Sequence, residues 1–290
     1  ESVDTVVVID SIGDPERIMS GTTLVTRDPI GLLIAEQAAK AISASGLLRD
    51  GFTFQTGAGG TSLAVAQYLG ELMRAKGITG RFASGGITGL LVQLLREGLF
   101  EVLLDVQCFD REAVQSIAED GRHGEISATR YASPAAKSAV VDQLDVVILG
   151  ATEIDTDFNV NVHTDSNGVI MGGSGGHSDT AAGAKLSIIV APLMRARLPL
   201  IVDRVGTIST PGEDIDLLVT QYGLACHPGR AELARKLKGA GLPVVPIQDL
   251  KAKAESITGV PVRSVHKGRP VARVISRDGA LLDTIAMIDN

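Results

Sequence analysis

The chain has 290 residues, 44% of them hydrophobic, with 33 glycines and a net charge of -7, enough to bury a large core as one α/β domain or two small ones. The charge is spread without a basic block, which excludes nucleic acid as the main partner. The longest apolar run, Leu186 to Leu193, is too short to span a bilayer, and Glu1 to Asp4 lacks the basic flank and apolar core of a signal peptide.

Aromatics make up only 3% and tryptophan is absent, so the core must be aliphatic, which suits parallel strands buried on both faces. Cys108 and Cys226 form neither a disulfide framework nor a metal-ligand spacing, and the five histidines include no i, i+4 pair. These features predict a reduced, cytoplasmic setting and no metal site. The chain does not begin with methionine, which fits a fragment or a processed form.

Val6 to Ile9 reads as a strand and Asp10 to Arg17 as a loop. Ile30 to Ser43 reads as a helix with Asp28 as N-cap, Pro29 at its first position and Gly46 as C-cap. Phe52 to Gln55 predicts a short strand that runs into Thr56-Gly57-Ala58-Gly59-Gly60, and Ser62 to Lys76 an amphipathic helix. The layout repeats: a strand at Arg81 to Ala83, a loop at Ser84-Gly85-Gly86 and a helix from Thr88 to Glu97. Leu99 to Val106 reads as a strand and Arg111 to Asp120 as a helix. Gly121 to Ser133 has no placed element, and Pro134 to Gln143 reads as a short helix.

Val146 to Leu149 is apolar and short enough for a buried strand. Glu153 follows where that run ends. Alternation at Phe158, Val160 and Val162 predicts another strand, and Asp165-Ser166-Asn167-Gly168 a tight turn. Gly172 to Gly176 then leads through His177 into a small-residue segment. Strands follow at Leu186 to Val190, Leu200 to Val202 and Ile215 to Thr220, with helices at Arg230 to Gly239 and Ile247 to Glu255. A hairpin turns at Asp278-Gly279. The alternation of strands and helices predicts an α/β fold with a mostly parallel sheet flanked by helices, whose ligands sit beyond the carboxyl ends of the strands.

Glu153 at such an end suits a nucleophile or general base, and equally a hydrogen-bonded structural acid. Strand alternation puts Asp155 and Asp157 on its face, where their charge would raise its pKa. Gly57 to Gly60 lacks both the full dinucleotide fingerprint and the Gly-Lys-Ser/Thr of a P-loop. That leaves an oxyanion or phosphate cradle, or a plain turn. The dense Gly172 to Gly176 run predicts close backbone approach to a ligand. His177 reads as a base or as an anchor for that run. Arg195 and Arg197 suit a carboxylate or phosphate but are by default solvated surface.

Four ordered motifs carry a resemblance: Gln55-Thr56-Gly57-Ala58-Gly59-Gly60, Ala151-Thr152-Glu153-Ile154-Asp155, Gly173-Ser174-Gly175-Gly176-His177-Ser178-Asp179 and Val219-Thr220-Gln221-Tyr222-Gly223. The chain resembles the acetate-type CoA-transferases. Through Asp155 to Val162 and Gly175 to Ala182 it more closely resembles the citrate lyase alpha-subunit family. The resemblance covers nearly the whole chain. It implies a CoA-transferase-like C-terminal domain over residues 1–290, with residues 1–30 joining a further N-terminal half.

The resemblance also implies transfer of a carrier-protein thioester from acetate to citrate. Its catalytic residues would be Glu153, Gly59 and Gly60, and its thioester-binding residues Gln55, Gly57, Ala58, Gly85, Gly86, Gly173, Ser174, Gly175, Gly176 and His177. Glu153 remains open as nucleophile, base or positioning group. No tightly bound cofactor is implied. The thioester carrier would be free CoA or the phosphoribosyl-dephospho-CoA group of an acyl carrier protein. The implied partners are the lyase (beta) subunit and the carrier (gamma) subunit in a homo- and hetero-oligomer. Three rivals remain: a transferase or hydrolase acting on free CoA, a non-catalytic fragment that binds its partners, and a sugar-phosphate isomerase of related architecture.

Overall fold

A computed structural model describes residues 4–11, 13, 14, 23–261 and 268–287. Helix α1 (Pro29–Ser45) leads to β1 (Thr53–Thr56), α2 (Gly60–Lys76), β2 (Gly80–Ile87), α3 (Gly89–Arg96) and β3 (Phe100–Cys108). Next come α4 (Arg111–Glu119), β4 (His123–Glu125), α5 (Ala128–Ala132), β5 (Val146–Leu149), β6 (Glu153–Asp155), β7 (Val160–Asn161), α6 (His177–Gly183) and β8 (Leu186–Val190). The remainder comprises β9 (Met194–Arg195), β10 (Leu198–Pro199), β11 (Ile201–Val202), β12 (Leu217–Thr220), β13 (Gly223–Cys226), α7 (Ala231–Gly239), α8 (Ile247–Thr258), β14 (Pro270–Ile275) and β15 (Leu281–Ala286).

Eight strands form the main sheet in the order β13-β12-β8-β5-β1-β2-β3-β4. Every neighbour pair in it is parallel except β12 with β13. Alternate residues of the central strands feed two cores. Phe54, Val146, Ile148, Ile188 and Leu217 pack on the side of α1 and α2. Val147, Leu149, Ile189 and Leu218 pack on the other side, with Ile154 of β6 and Leu250 of α8. That division is the period-2 geometry of a sheet buried on both faces. A smaller sheet, β11-β6-β7, contributes Ile154, Val160 and Ile201 to the second core.

Local chemistry fixes the element ends. Asp28 accepts from the Gly31 N–H at 3.0 Å, with Pro29 inside the first turn, and Gly46 closes α1 at φ 88°. The hairpin of β14 and β15 brackets Asp278 and Gly279 as expected.

Several expectations are corrected. Residues 84–86 are not a loop but the end of β2, because the nine-residue β3 pairs across them, with an irregularity between Gly85 and Gly86. The unplaced middle segment contains β4 and α5. The helix expected over residues 134–143 is only a 3₁₀ turn, Val140–Gln143. The strand expected over residues 158–162 shrinks to β7, since Phe158 takes φ 67° in a turn closed onto Asp155. Residues 6–9 form no strand and are exposed, with no partner strand among the described residues. Much of the loop expected from residue 10 to 17 lies outside the described residues.

Candidate active site

The order of the main sheet has one reversal. The chain enters at β1, grows outward through β2, β3 and β4, then returns to place β5 on the other side of β1. Beyond the carboxyl ends of two strands that diverge in this way a crevice opens, and ligands bind there. The β1 end carries Gln55 and the 57–60 turn, and the β5 end leads through Gly150 to Glu153.

The 57–60 turn delivers the chain into α2. Gly59 is its N-cap, and no side chain caps the helix, so the first-turn N–H groups and the positive end of the dipole face outward. The Gly57 N–H donates to the Ile148 carbonyl at 3.1 Å and ties the turn to β5. Gly60 must be glycine for packing, since a Cβ there would lie 2.9 Å from the Leu24 carbonyl oxygen.

Gln55 is buried and held from both sides. The Ser84 hydroxyl donates to its Oε1 at 3.2 Å, which turns its Nε2 toward the Tyr131 hydroxyl at 2.6 Å. Gly85, at φ 102°, leaves room for this amide, as a Cβ there would sit 2.9 Å from the Gln55 Cδ. Gly86 serves packing instead, because a Cβ there would fall within the Phe109 ring.

Around Gly172, Gly173 and Gly175 the space within 4 Å of a Cβ is empty. Gly176 differs, for its Cβ would lie 2.5 Å from the Tyr131 hydroxyl. His177, the first residue of α6, is buried. Its Nδ1 meets the Thr210 hydroxyl at 2.8 Å and its Nε2 the Gly150 carbonyl at 2.8 Å. Burial pushes its pKa down to about 4, so the ring is neutral near pH 7 and anchors the glycine run to the β5–β6 turn. Gln55, with Gly85 packed against it, and Gly176 thus converge on Tyr131, while His177 holds Gly150.

Glu153 stands apart from that convergence. It is 1% exposed, and its Oε2 accepts from the Gly206 N–H at 3.3 Å and from the Asn161 amide at 3.5 Å. Its surroundings are polar, not an apolar core. Two cavities flank it, one of about 500 Å³ with Gly206 and Thr207 on its wall and one of about 220 Å³ with Ala151 and Thr152 on its wall. Ser166 and Pro199 line both. The glycine turns line neither. Asp155 does not press on Glu153 as a free charge, since it accepts from the N–H groups of Asp157, Asn159 and Val205. Asp157 is exposed and lies outside the strand.

Sequence reasoning missed Tyr131, Asn161 and Gly206. Tyr131 fell in the unplaced middle segment. Asn161 sits eight positions after Glu153 on the paired strand β7, a register that only the β6–β7 pairing reveals. Both thiols are protonated at neutral pH, since burial raises Cys108 to about 12 and Cys226 to about 11. Among the described residues, no group of three or more His, Cys, Asp or Glu side chains is arranged to hold a metal, and no helix is long and apolar enough to cross a membrane.

A helix-flanked, mostly parallel sheet with glycine turns at its reversal point, and a buried carboxylate in the small sheet beyond β5, defines an α/β fold. The model of the family "Citrate lyase, alpha subunit (CitF)" matches residues 1–288, and the chain belongs to that family. It is 49% identical to the citrate lyase alpha chain of Klebsiella pneumoniae over 290 residues, all of this chain and 57% of that protein. It is likewise 49% identical to that of Escherichia coli (strain K12), covering 99% of this chain and 56% of the relative. The chain therefore spans about half the length of the curated relatives it matches.

A solved alpha subunit of citrate lyase from Streptococcus mutans, in complex with citrate, superposes with a TM-score of 0.95 at 47% identity over 99% of this chain and 57% of its own. RipA from Yersinia pestis shares the fold alone, with a TM-score of 0.54 at 18% identity over 80% of this chain and 53% of its own.

Proposed function

We propose that this chain belongs to a subunit that transfers a carrier-protein thioester from acetate to citrate: acetyl-carrier plus citrate gives citryl-carrier plus acetate. The observation that carries the reading is the family match over residues 1–288. The convergence of Gln55, the 57–60 turn and Gly176 at the sheet's reversal point supports it physically.

In the reaction, a citrate carboxylate attacks the acetyl thioester carbonyl. The C–S bond breaks, the electron pair leaves with the thiolate, and a mixed anhydride remains. The thiolate then attacks the citryl carbonyl and expels acetate, so atoms and charge balance. Each attack passes through an oxyanion, and the N–H groups of the turn leading into α2 (Ala58, Gly59, Gly60) are the donors proposed for it. One such donor is worth about 3 kcal/mol. Ser174 and the glycines around it would line the path of the thioester, with His177 as the anchor. Glu153 would act as nucleophile, as base or as the group that positions citrate, through the carboxylate held by Asn161 and Gly206.

The carrier would be an acyl carrier protein with a CoA-like prosthetic group, and the next step cleavage by a lyase subunit in a cytoplasmic complex. The test uses a subunit of the relatives' full length that carries this chain. It is mixed with citrate and with acetyl-carrier or acetyl-CoA in parallel. Acetate release dependent on citrate and faster from the carrier is the expected result. Release without citrate would instead indicate a hydrolase, and no release from either thioester would refute the reading.

A further inference from the structure

The N–H group that Gly206 offers to Glu153 belongs to a segment without regular structure, residues 203–209, which follows β11. Backbone donors there have no strand or helix ladder to satisfy them and must find other acceptors. Three of them go to side-chain carboxylates: Val205 to Asp155 Oδ2 at 3.4 Å, Gly206 to Glu153 Oε2 at 3.3 Å and Ile208 to Asp283 Oδ2 at 2.8 Å. The first two acceptors both sit on β6, so they tie the segment only to the strand that carries Glu153. Asp283 ties it from outside, 75 positions away on β15, and its bond is the shortest of the three.

Gly206 has no side chain to pack and is exposed on the wall of the cavity of about 500 Å³. Its position is therefore set by its hydrogen-bonded neighbours. Asp283, Thr284 and Ile285 of β15 form another part of that wall. The hairpin end of the link is itself held. The second oxygen of Asp283 accepts from the Thr284 N–H at 2.7 Å. Val274 and Ile285 are buried beneath the hairpin, and Arg277 in its turn reaches Asp142 at 2.5 Å. A two-stranded hairpin is marginally stable by itself, so these anchors are what make it a firm bracket.

We propose that Asp283 is a positioning residue for Glu153: by holding Ile208 it sets the Gly206 N–H against the Glu153 carboxylate. This rests on the acyl-transfer reading above, and it assigns the β14–β15 hairpin a part in that site. A reacting group must be held within about 0.5 Å by its supporting residues, and a misplacement of about 1 Å can cost about 100-fold in rate. With the Val205 and Gly206 bonds still in place, the loss on removing Asp283 should be about tenfold.

The test measures citrate-dependent acetate release from acetyl-carrier by the complete subunit. Asp283→Ala should lower kcat about tenfold and leave the KM for citrate within about twofold. Asp283→Asn, which keeps an oxygen for Ile208, should recover most of the loss. Should Asp283→Ala fail to fold, Asp283→Ser takes its place, being too short to reach Ile208. A residue that acts through Glu153 has little left to give once Glu153 is gone, so in a Glu153→Gln background Asp283→Ala should cost less than about twofold. An unchanged kcat in Asp283→Ala, or the same fold loss in both backgrounds, overturns the assignment while leaving the transfer reading intact. An unchanged rate in Glu153→Gln removes Glu153 from the reaction, and no turnover by the unaltered subunit removes the transfer reading. In either case hydrogen exchange decides the link alone. Faster exchange over residues 205–208 in Asp283→Ala supports it, and unchanged exchange overturns it.

Discussion

Gly176→Ala is the sharpest probe of the convergence at Tyr131. At φ -85° and ψ 20° the backbone there accepts any L-residue, and a glycine-to-alanine change at a compatible position stabilises by about 0.4–1 kcal/mol through the unfolded chain. Here, however, the new methyl would lie 2.5 Å from the Tyr131 hydroxyl and 2.8 Å from its Cε1. The ring must shift, and the 2.6 Å bond from Gln55 goes with it.

A buried amide N–H left unpaired costs about 1–3 kcal/mol, and overpacking a well-filled site about 1–3 kcal/mol more. Set against the unfolded-state gain, the net loss is about 1–6 kcal/mol. At about 2–4 °C per kcal/mol for large domains, the melting temperature should fall by about 2–20 °C. Gly173→Ala is the control, because its methyl would meet nothing within 4 Å.

The assay is denaturant unfolding of both variants, with Tyr131→Phe and the Gly176→Ala/Tyr131→Phe pair to complete a cycle. Removing the hydroxyl removes the closest contact, so the pair should be less destabilised than the sum by about 1 kcal/mol or more. Equal stabilities for the two glycine variants, or strict additivity in the cycle, would refute the reasoning.

Glu153→Gln keeps an oxygen for the Gly206 and Asn161 donors, so the subunit should fold within about 2 kcal/mol of the parent. Citrate-dependent acetate release should drop about 100-fold or more, and an unchanged rate would reduce Glu153 to a structural acid. His177, lowered from 6.5 to about 4 by burial, contributes stability that is full above pH 6.5 and lost as the pH falls toward 4, up to about 3 kcal/mol. His177→Gln should flatten that slope in thermal unfolding, and a persisting slope would assign it elsewhere. Asp214 works in the opposite sense. Burial first, then Glu213, Asp216 and Asp278, raise its pKa to about 6. Its contribution is full below pH 3.8 and lost as the pH rises through 6. Asp214→Asn should therefore raise the melting temperature at pH 8 more than at pH 4, and an equal change at both would contradict this.

Elements with their own local chemistry were readable in advance. The Asp28 cap, Pro29 and Gly46 bound α1 as the sequence indicates, and the all-buried run of β5 reads directly as a parallel strand. Elements set by distant neighbours were not. Ser84, Gly85 and Gly86 look like a loop because two glycines weaken any strand, yet β3 supplies a ladder that holds them in β2. Strand β6 is three residues long and exists through its pairing with β7 and β11, and Phe158 spoils the alternation by adopting a left-handed conformation. The glycines and Glu153 stood out in the sequence by type and place, as candidates. Tyr131 did not, because its importance comes from whom it touches across 76 positions to Gln55.

The placement of β1 has a consequence for how the molecule is made. Among the described strands of the main sheet it comes first in chain order, and it is one of the most central. The hydrogen bonds that lock it against the start of β5, between Thr53 and Asp145, span 92 positions. At about 5–20 residues per second on the ribosome, that separation leaves one flank of β1 without a neighbour for about 5–18 s. Over that interval the nascent polypeptide carries an open apolar seam around Phe54, a ready target for chaperones or for a second nascent copy. The crevice at the reversal between β1 and β5 is assembled only when that seam closes.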